Sequence, residues 1–493
     1  MRQVDRRVVA AAALSAALTG GCALDSPPSG TALRDDALPH VVTPPAWASP
    51  GGAAGNVVDG WLAAFNDPTL TALVQEALAY NTDLRMAAAR VETAAGYVKL
   101  SGATLYPQVN LMARGGGKMS GDSSGLSGGG FVATWELDLW GRVRASQEGA
   151  RSGFDSAELD AAFARQSIAA QTAKAWFLAT EADLQLAVAE ETLQSSDRLL
   201  GFARDRLRVG KGDDYEVSTA LASVDTYRDV VVQLTLARTQ ALRALETLIG
   251  RYPAAALRPA TRFADMPPPV PVGLPSELLE RRPDVVAAER RVAAAFYGIE
   301  EAKAARLPRI SLTASLTSVS SDLFVLKERD NPIASLGGNL LAPIFLGGAL
   351  QAQVEIRTGE QALAVADYGR VALRAFGEVE NALSSGFTLD QRATVLDRLV
   401  ADNERALELS QVRYRVGAGD LRAVNQQQLA LYSAKSARLH VEADRRVQRV
   451  NLHLALGGAF EAIATPEKQA RASDPRAADS AALASSAAAA PGR

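Results

Sequence analysis

The chain has 493 residues, a formal net charge of −3 and an isoelectric point near 5.9, a balance that excludes an electrostatic nucleic-acid binder. Hydrophobic residues make up 48% and charged residues 22%, so there is ample apolar surface for a core. The lone cysteine, Cys22, excludes an intramolecular disulfide, and His40, His440 and His453 give no metal triad at helical spacing.

Residues 1–21 read as an export signal: Arg2, Arg6 and Arg7, then an apolar run, then Thr19, Gly20 and Gly21 directly before Cys22. The pattern resembles a bacterial lipoprotein signal, in which the cysteine is lipidated and becomes the first mature residue. Ordinary signal-peptidase cleavage near Cys22 is the alternative, because Thr19 stands where leucine is usual. Residues 22–60, with Pro27, Pro28, Pro44, Pro45 and Pro50, read as an extended, lipid-anchored tether. No later run of about 18 apolar residues predicts a transmembrane helix.

Helical periodicity starts at residue 61, and Asp67 is placed to cap a helix that opens with Pro68. After Pro107 the period changes from 3.6 to 2. Val109, Leu111 and Ala113 share one face and Gln108, Asn110 and Arg114 the other. Residues 115–130, rich in glycine and serine, predict a loop. Residues 131–139 predict a second strand, with Phe131, Ala133, Trp135, Leu137 and Leu139 on one face. From residue 142 to 209 there is no proline, and Leu186, Leu193, Leu200 and Leu207 form a seven-residue stripe, predicting a helix roughly 100 Å long packed lengthwise on another. It stops at Gly210 and Gly212, and a return helix runs from about Asp213 to Gly250.

The pattern then recurs. Asp83, Val91 and Pro107 match Asp284, Val292 and Pro308 at an offset of 201, while Gly210 and Gly250 match Gly417 and Gly457 at 207. The six extra residues fall in the loop between the second pair of strands, predicted around residues 310–317 and 335–345. The stripe returns at Ala393, Val400, Leu407 and Tyr414. The chain thus divides into the signal at 1–21, the tether at 22–60, a first repeat at 61–252, a connector at 253–273, a second repeat at 274–464 and a disordered Ala/Ser-rich tail at 465–493.

Each alternating run is about 10 residues, the length a tilted strand needs to cross a bilayer, with Tyr106, Trp140 and Phe345 near the ends to suit the lipid–water boundary. A soluble, half-buried sheet has the same alternation. If the strands cross a membrane, four are too few to close a barrel, so several chains must pool them.

The strings WLAAFNDPTLTALVQEALAYNTDL, WELDLWGRVR, LPSELLERRPDVVAAERRVAAA, LAPIFLGGAL, RYRVGAGD and VNLHLALGG, in that order, resemble the TolC-type outer-membrane efflux family in its NodT/OprM-like lipoprotein branch. The resemblance implies a mixed α/β membrane protein whose four strands per chain complete a 12-stranded trimeric outer-membrane β-barrel above a periplasmic α-helical barrel of two tandem repeats. It implies no enzyme and no cofactor. The implied function is the passive outer-membrane duct of a tripartite efflux pump carrying small toxic compounds or drugs. The implied partners are two further copies of the chain, a periplasmic membrane-fusion adaptor, an RND-type inner-membrane pump and outer-membrane lipid. Type I protein secretion and metal-ion efflux stay open as other cargoes, and a pore-free periplasmic coiled-coil scaffold as another architecture.

Site residues follow from the same resemblance. Cys22 would carry the lipid. The RxxxG pattern of adaptor-facing turns maps onto Arg206, Val209 and Gly210 and onto Arg413, Val416 and Gly417. The family's acid in an LDAQ-like string is replaced by Thr219 and Gln426, leaving Asp213, Asp214, Glu216 and Asp420 as the candidate periplasmic gate; capping of the helix starts is their plainer role. A GxSxG string at Gly125, Ser127 and Gly129 sits in the predicted loop, where it lacks the strand-to-helix turn and histidine of a nucleophile elbow.

Overall fold

The computed structural model describes residues 25–114, 126–321 and 333–461. The signal, Cys22 and the tail at 465–493 lie outside the described residues, as does Gly125 of the GxSxG string. In chain order the elements are α1 (Gly30–Ala37), α2 (Pro68–Tyr80), α3 (Thr82–Ala103), β1 (Gln108–Arg114), β2 (Leu126–Leu137), α4 (Arg142–Arg208), α5 (Asp214–Leu248), α6 (Leu278–Arg281), α7 (Pro283–Ala304), β3 (Arg309–Ser321), β4 (Ile333–Leu341), α8 (Ala349–Arg415) and α9 (Leu421–Ala455). Helices at matching positions have equal lengths: 22 residues for α3 and α7, 67 for α4 and α8, 35 for α5 and α9. No helix among the described residues is long and apolar enough to cross a membrane.

The chain forms two compact units. One is drawn from the described residues of Met1–Val42, Arg85–Phe163 and Pro283–Arg374. It holds a four-stranded antiparallel sheet in the order β1-β2-β3-β4. The register puts Val109, Ala133, Ala314 and Leu336 in one row, and Leu111, Phe131, Leu316 and Ala334 in the next. Because side chains alternate across a pleat, Trp135, Leu312 and Leu340 fall on this same apolar face. The opposite face carries Asn110, Ser315 and Ser335 in one row, with the two serine hydroxyls 2.6 Å apart, and Glu136, Ser311 and Asn339 in another.

Three predicted boundaries move. Residues 126–130, expected in a loop, extend β2, because ladder pairing to β3 throughout, and to β1 from Gly128 onward, overrides their Gly/Ser composition. Only glycine fits at Gly130, where a Cβ would lie 2.2 Å from the Leu316 carbonyl oxygen. The GxSxG residues from Leu126 onward therefore lie in a strand and not in a hairpin loop. β2 ends at Leu137, two residues early, because Asp138 turns back to accept from the Val143 and Arg144 amides at 3.0 Å and caps α4. β4 ends at Leu341 and not at Phe345, with Pro343, which has no amide to donate, just beyond.

The other unit is drawn from the described residues of Thr43–Leu84, Ala164–Arg282 and Ala375–Arg493. Its core packs Trp61, Phe65, Leu70 and Val74 against Ile168, Trp176, Phe177, Leu242 and Leu245. Asp67 caps α2 as expected, accepting from the Leu70 amide at 2.9 Å, and its second oxygen accepts from the Trp176 indole at 2.9 Å. Both return helices end alike. The Asn81 amide donates to the Leu248 carbonyl at 2.8 Å; at the matching positions Arg282 donates to the Ala455 carbonyl at 3.2 Å and pairs with Glu378 at 2.6 Å. Gly250 and Gly457 then turn with φ of 81° and 68°, and a Cβ on Gly250 would sit 2.9 Å from the Tyr80 carbonyl oxygen.

The expected tether is only partly extended. Within the first unit α1 buries Leu33 at 2% exposure. Within the second, the Trp47 indole donates to the Val272 carbonyl at 3.2 Å and Glu380 accepts from the Ala48 and Ser49 amides. Proline spacing reports stiffness, not what the segment lies on.

Two matching positions carry opposite chemistry. Buried Glu246 is penalised by desolvation, yet the Leu257, Ala255 and Ala256 amides outweigh that and hold its pKa below the ordinary carboxylate value. Its counterpart, His453, is buried and stacked on Trp61 at 5.8 Å; burial, then the Arg449 charge, depress its pKa from 6.5 to about 4. The folded state thus resists protonation that the unfolded chain accepts. Stability from the neutral ring is fully present above pH 6.5 and is lost as pH falls toward 4, by up to about 3 kcal/mol. The His453→Phe variant should lose part of this acid sensitivity, measured as the difference in Tm between pH 7 and pH 4.5; an unchanged difference would show that His453 does not carry it.

Candidate functional site

The sequence singles out the two helix turns, and both fall in the second unit. α4 ends at Arg208; Gly210 donates to the Leu207 carbonyl at 3.0 Å and Lys211 to the Arg206 carbonyl at 2.9 Å. At the second turn Gly417 donates to Tyr414 at 3.1 Å and Ala418 to Arg413 at 2.8 Å. These are paired helix-terminating bonds around a residue with positive φ, 71° at Gly210 and 80° at Gly417. A Cβ on either glycine would meet nothing within 4 Å in this chain, so the backbone conformation, not crowding, requires glycine there. Val209 and Val416 flank them at 64% and 73% exposure.

The candidate acids separate into roles. Asp213 accepts from the Glu216 amide at 2.9 Å and Asp420 from the Ala423 amide at 2.7 Å, so both cap return helices. Asp214 is exposed in the first turn of α5. Glu216 instead faces inward, 3.5 Å from Arg206 Nε, and accepts from the Tyr414 hydroxyl at 3.2 Å. Arg206 lies over the Tyr414 ring, 4.9 Å from its centre, and donates to the Lys211 carbonyl at 2.8 Å. Arg413 is exposed. The difference is legible in register: the position matching Glu216 is Ala423, so no acid stands at that place in the second turn to draw its arginine inward.

Tyr414 was visible in the sequence only as a stripe residue. It is fully buried in a cluster with Leu200, Ala203, Val224, Leu421 and Val424, so it joins the two turns. Burial and then the Glu216 carboxylate push its pKa up to about 12, with Arg206 opposing. It is therefore a neutral donor at physiological pH. The signal that could have identified it is a phenol at an apolar stripe position, which needs a polar partner when buried.

Residues 73–251 and 274–458 match the family model described as outer membrane efflux protein. The chain belongs to this outer-membrane efflux family. The pyoverdine export outer membrane protein OpmQ of Pseudomonas aeruginosa is 32% identical over 420 residues, covering 81% of this chain and 87% of its own. The cation efflux system protein CusC of Escherichia coli is 30% identical over 411 residues, covering 82% and 88%. Among solved structures, the outer-membrane channel OprN superposes with a TM-score of 0.78 at 27% identity, covering 86% of this chain and 99% of that one. The protein is an outer-membrane efflux duct, of a family whose members are channels.

Within this duct the Glu216–Tyr414 bond is a defined pairwise contact. A double-mutant cycle of Tyr414→Phe and Glu216→Gln should give a coupling of about 1.5–3 kcal/mol in unfolding free energy, the size of a hydrogen bond to a charged group. Strict additivity would remove the contact from the account.

Proposed function

We propose that three copies join β4 of one chain to β1 of the next and close a 12-stranded barrel in the outer membrane. The observation that carries this is the sheet's apolar face. Val109, Leu111, Phe131, Trp135, Leu312, Leu316, Leu336 and Leu340 are all exposed on it. At roughly 1.5–3 kcal/mol per side chain, leaving that face in water would offset a typical net stability of about 5–15 kcal/mol. A lipid face removes that cost, but lipid cannot satisfy the backbone at the sheet's two edges, so the edges must pair with other copies. The two long helices and their returns, repeated in each copy, form the periplasmic extension.

The cargo is small toxic compounds or drugs, delivered by an RND-type inner-membrane pump through a periplasmic adaptor that docks on the turns at Val209 and Gly210 and at Val416 and Gly417. The energy comes from the pump. Family relatives named for pyoverdine export and for cation efflux support a small-solute cargo. The Arg206–Glu216–Tyr414 contact, with Asp213, Asp214 and Asp420 beside the turns, holds the periplasmic end closed. In planar bilayers, protein whose mass in detergent is that of three copies should show a low resting conductance, raised severalfold by Tyr414→Phe with Glu216→Gln. A water-soluble monomer that inserts in no bilayer would defeat the reading.

Cys22 anchors the chain to the membrane by its lipid. Labelled palmitate should enter the wild-type protein and not the Cys22→Ser variant; equal labelling of the two would exclude the anchor.

A further inference from the structure

α3 and α7 occupy matching places and have the same length, yet they are covered very differently. α7 buries Val285, Ala288, Val292, Ile299 and five further residues, whereas α3 buries only Gly102. The cover on α7 comes from both long helices. On one side Arg291 bonds Asp160 of α4 at 2.6 Å, Glu301 lies 3.8 Å from Arg142, and a Cβ on Gly149 would meet Tyr297 at 3.5 Å. On the other, a Cβ on Gly298 would meet Arg357 of α8 at 3.6 Å. α3 has only the second kind of neighbour, with Gly102 against Gln147 of α4.

The sequence offsets say what the missing neighbour must look like. Residues of α7 lie 201 beyond their matches in α3, and residues of α8 lie 207 beyond theirs in α4. The α7–α4 pair Arg291–Asp160 therefore maps onto Arg90 and Asp367, which keep the same residue types. Tyr297–Gly149 maps onto Gly96 and Ile356, where the large and small residues have changed sides. A volume-conserving exchange across a contact preserves its packing. Glu301–Arg142 maps onto Leu100 and Ala349, replacing an ion pair by an apolar one.

Within one chain these residues are not covered. Arg90 is exposed, Leu100 is 67% exposed, Ile356 is 55% exposed, and Asp367 pairs only along its own helix with Arg370. We infer that α8 of one copy packs on α3 of the next in the geometry that α4 takes on α7, with Asp367 of one bonded to Arg90 of the other and Ile356 seated over Gly96. The inference rests on the three-copy reading and assigns its helical contact. The topology agrees. In antiparallel pairing of β4 with the next copy's β1, the end of β4 at Leu341 lies beside the start of β1 at Gln108, which brings the start of α8 to the end of α3. The groove lined by Tyr97, Leu100, Val143 and Ala150, about 640 Å³, then receives the exposed Ile344, Phe345 and Leu346 of the neighbour.

The test uses the full chain in outer membranes. Gly96→Cys with Ile356→Cys, treated with a mild oxidant, should give disulfide-linked dimers and trimers, and neither single variant should. Arg90→Asp or Asp367→Arg alone should lower the heat-resistant oligomer at least tenfold, and the exchanged pair Arg90→Asp with Asp367→Arg should restore it. Light scattering in detergent separates the helical contact from the three-copy assembly. A three-copy mass with no cross-link and no rescue overturns the α8–α3 contact and leaves the trimer standing. A one-copy mass overturns both.

Discussion

The backbone at the ends of the return helices constrains everything else in this chain. Each 67-residue helix is followed by a 35-residue helix running back, and the last carbonyls of that return helix have no partner within it. Asn81 meets one of them at Leu248 and Arg282 meets the matching one at Ala455. The positive-φ glycines that follow lie close against the incoming chain, at Gly250 within a distance that a Cβ would not tolerate. These anchors tie the return helices to the residues directly before α3 and α7.

Equal backbone with unequal side chains is the second theme. Asparagine and arginine donate to equivalent carbonyls, but only the arginine brings a charge, which Glu378 balances at 2.6 Å. Glu246 and His453 share a position, one held ionised by three amides and the other held neutral by burial. At these two matching positions the place along the helix is the same, while the immediate neighbours set which protonation state survives there.

Much of this was legible because it depends on local chemistry. The glycines at 210, 250, 417 and 457 stop helices by a rule that needs only a few neighbouring residues, and Asp67 before Pro68 announces its helix start. Strand faces followed from alternation, and the observed register places Val109, Ala133, Ala314 and Leu336 together, as that alternation requires. What escaped depends on distant partners. Residues 126–130 look like a loop until two neighbouring strands claim their backbone, and residues 25–60 look like a free tether until Glu380, more than 300 positions away, binds their amides. Tyr414 and Glu216 are 198 residues apart, so no spacing rule joins them, although one falls in the seven-residue stripe and the other at a helix start.

If the contact between the turns closes the periplasmic end, as proposed, its strength suits an element that must also open. Arginine over an aromatic ring contributes about 0.5–2 kcal/mol, and a hydrogen bond to a carboxylate about 1.5–3 kcal/mol. Their sum, roughly 2–5 kcal/mol, holds two turns together well above thermal energy. It is also below the roughly 5.5 kcal/mol of differential binding that would carry an equilibrium from almost wholly closed to almost wholly open. A stronger tie would demand more from any partner that opens it, and a buried ion pair without the tyrosine would leave the acid short of hydrogen bonds. Placing the phenol on one turn and both charges on the other makes the two turns move as one.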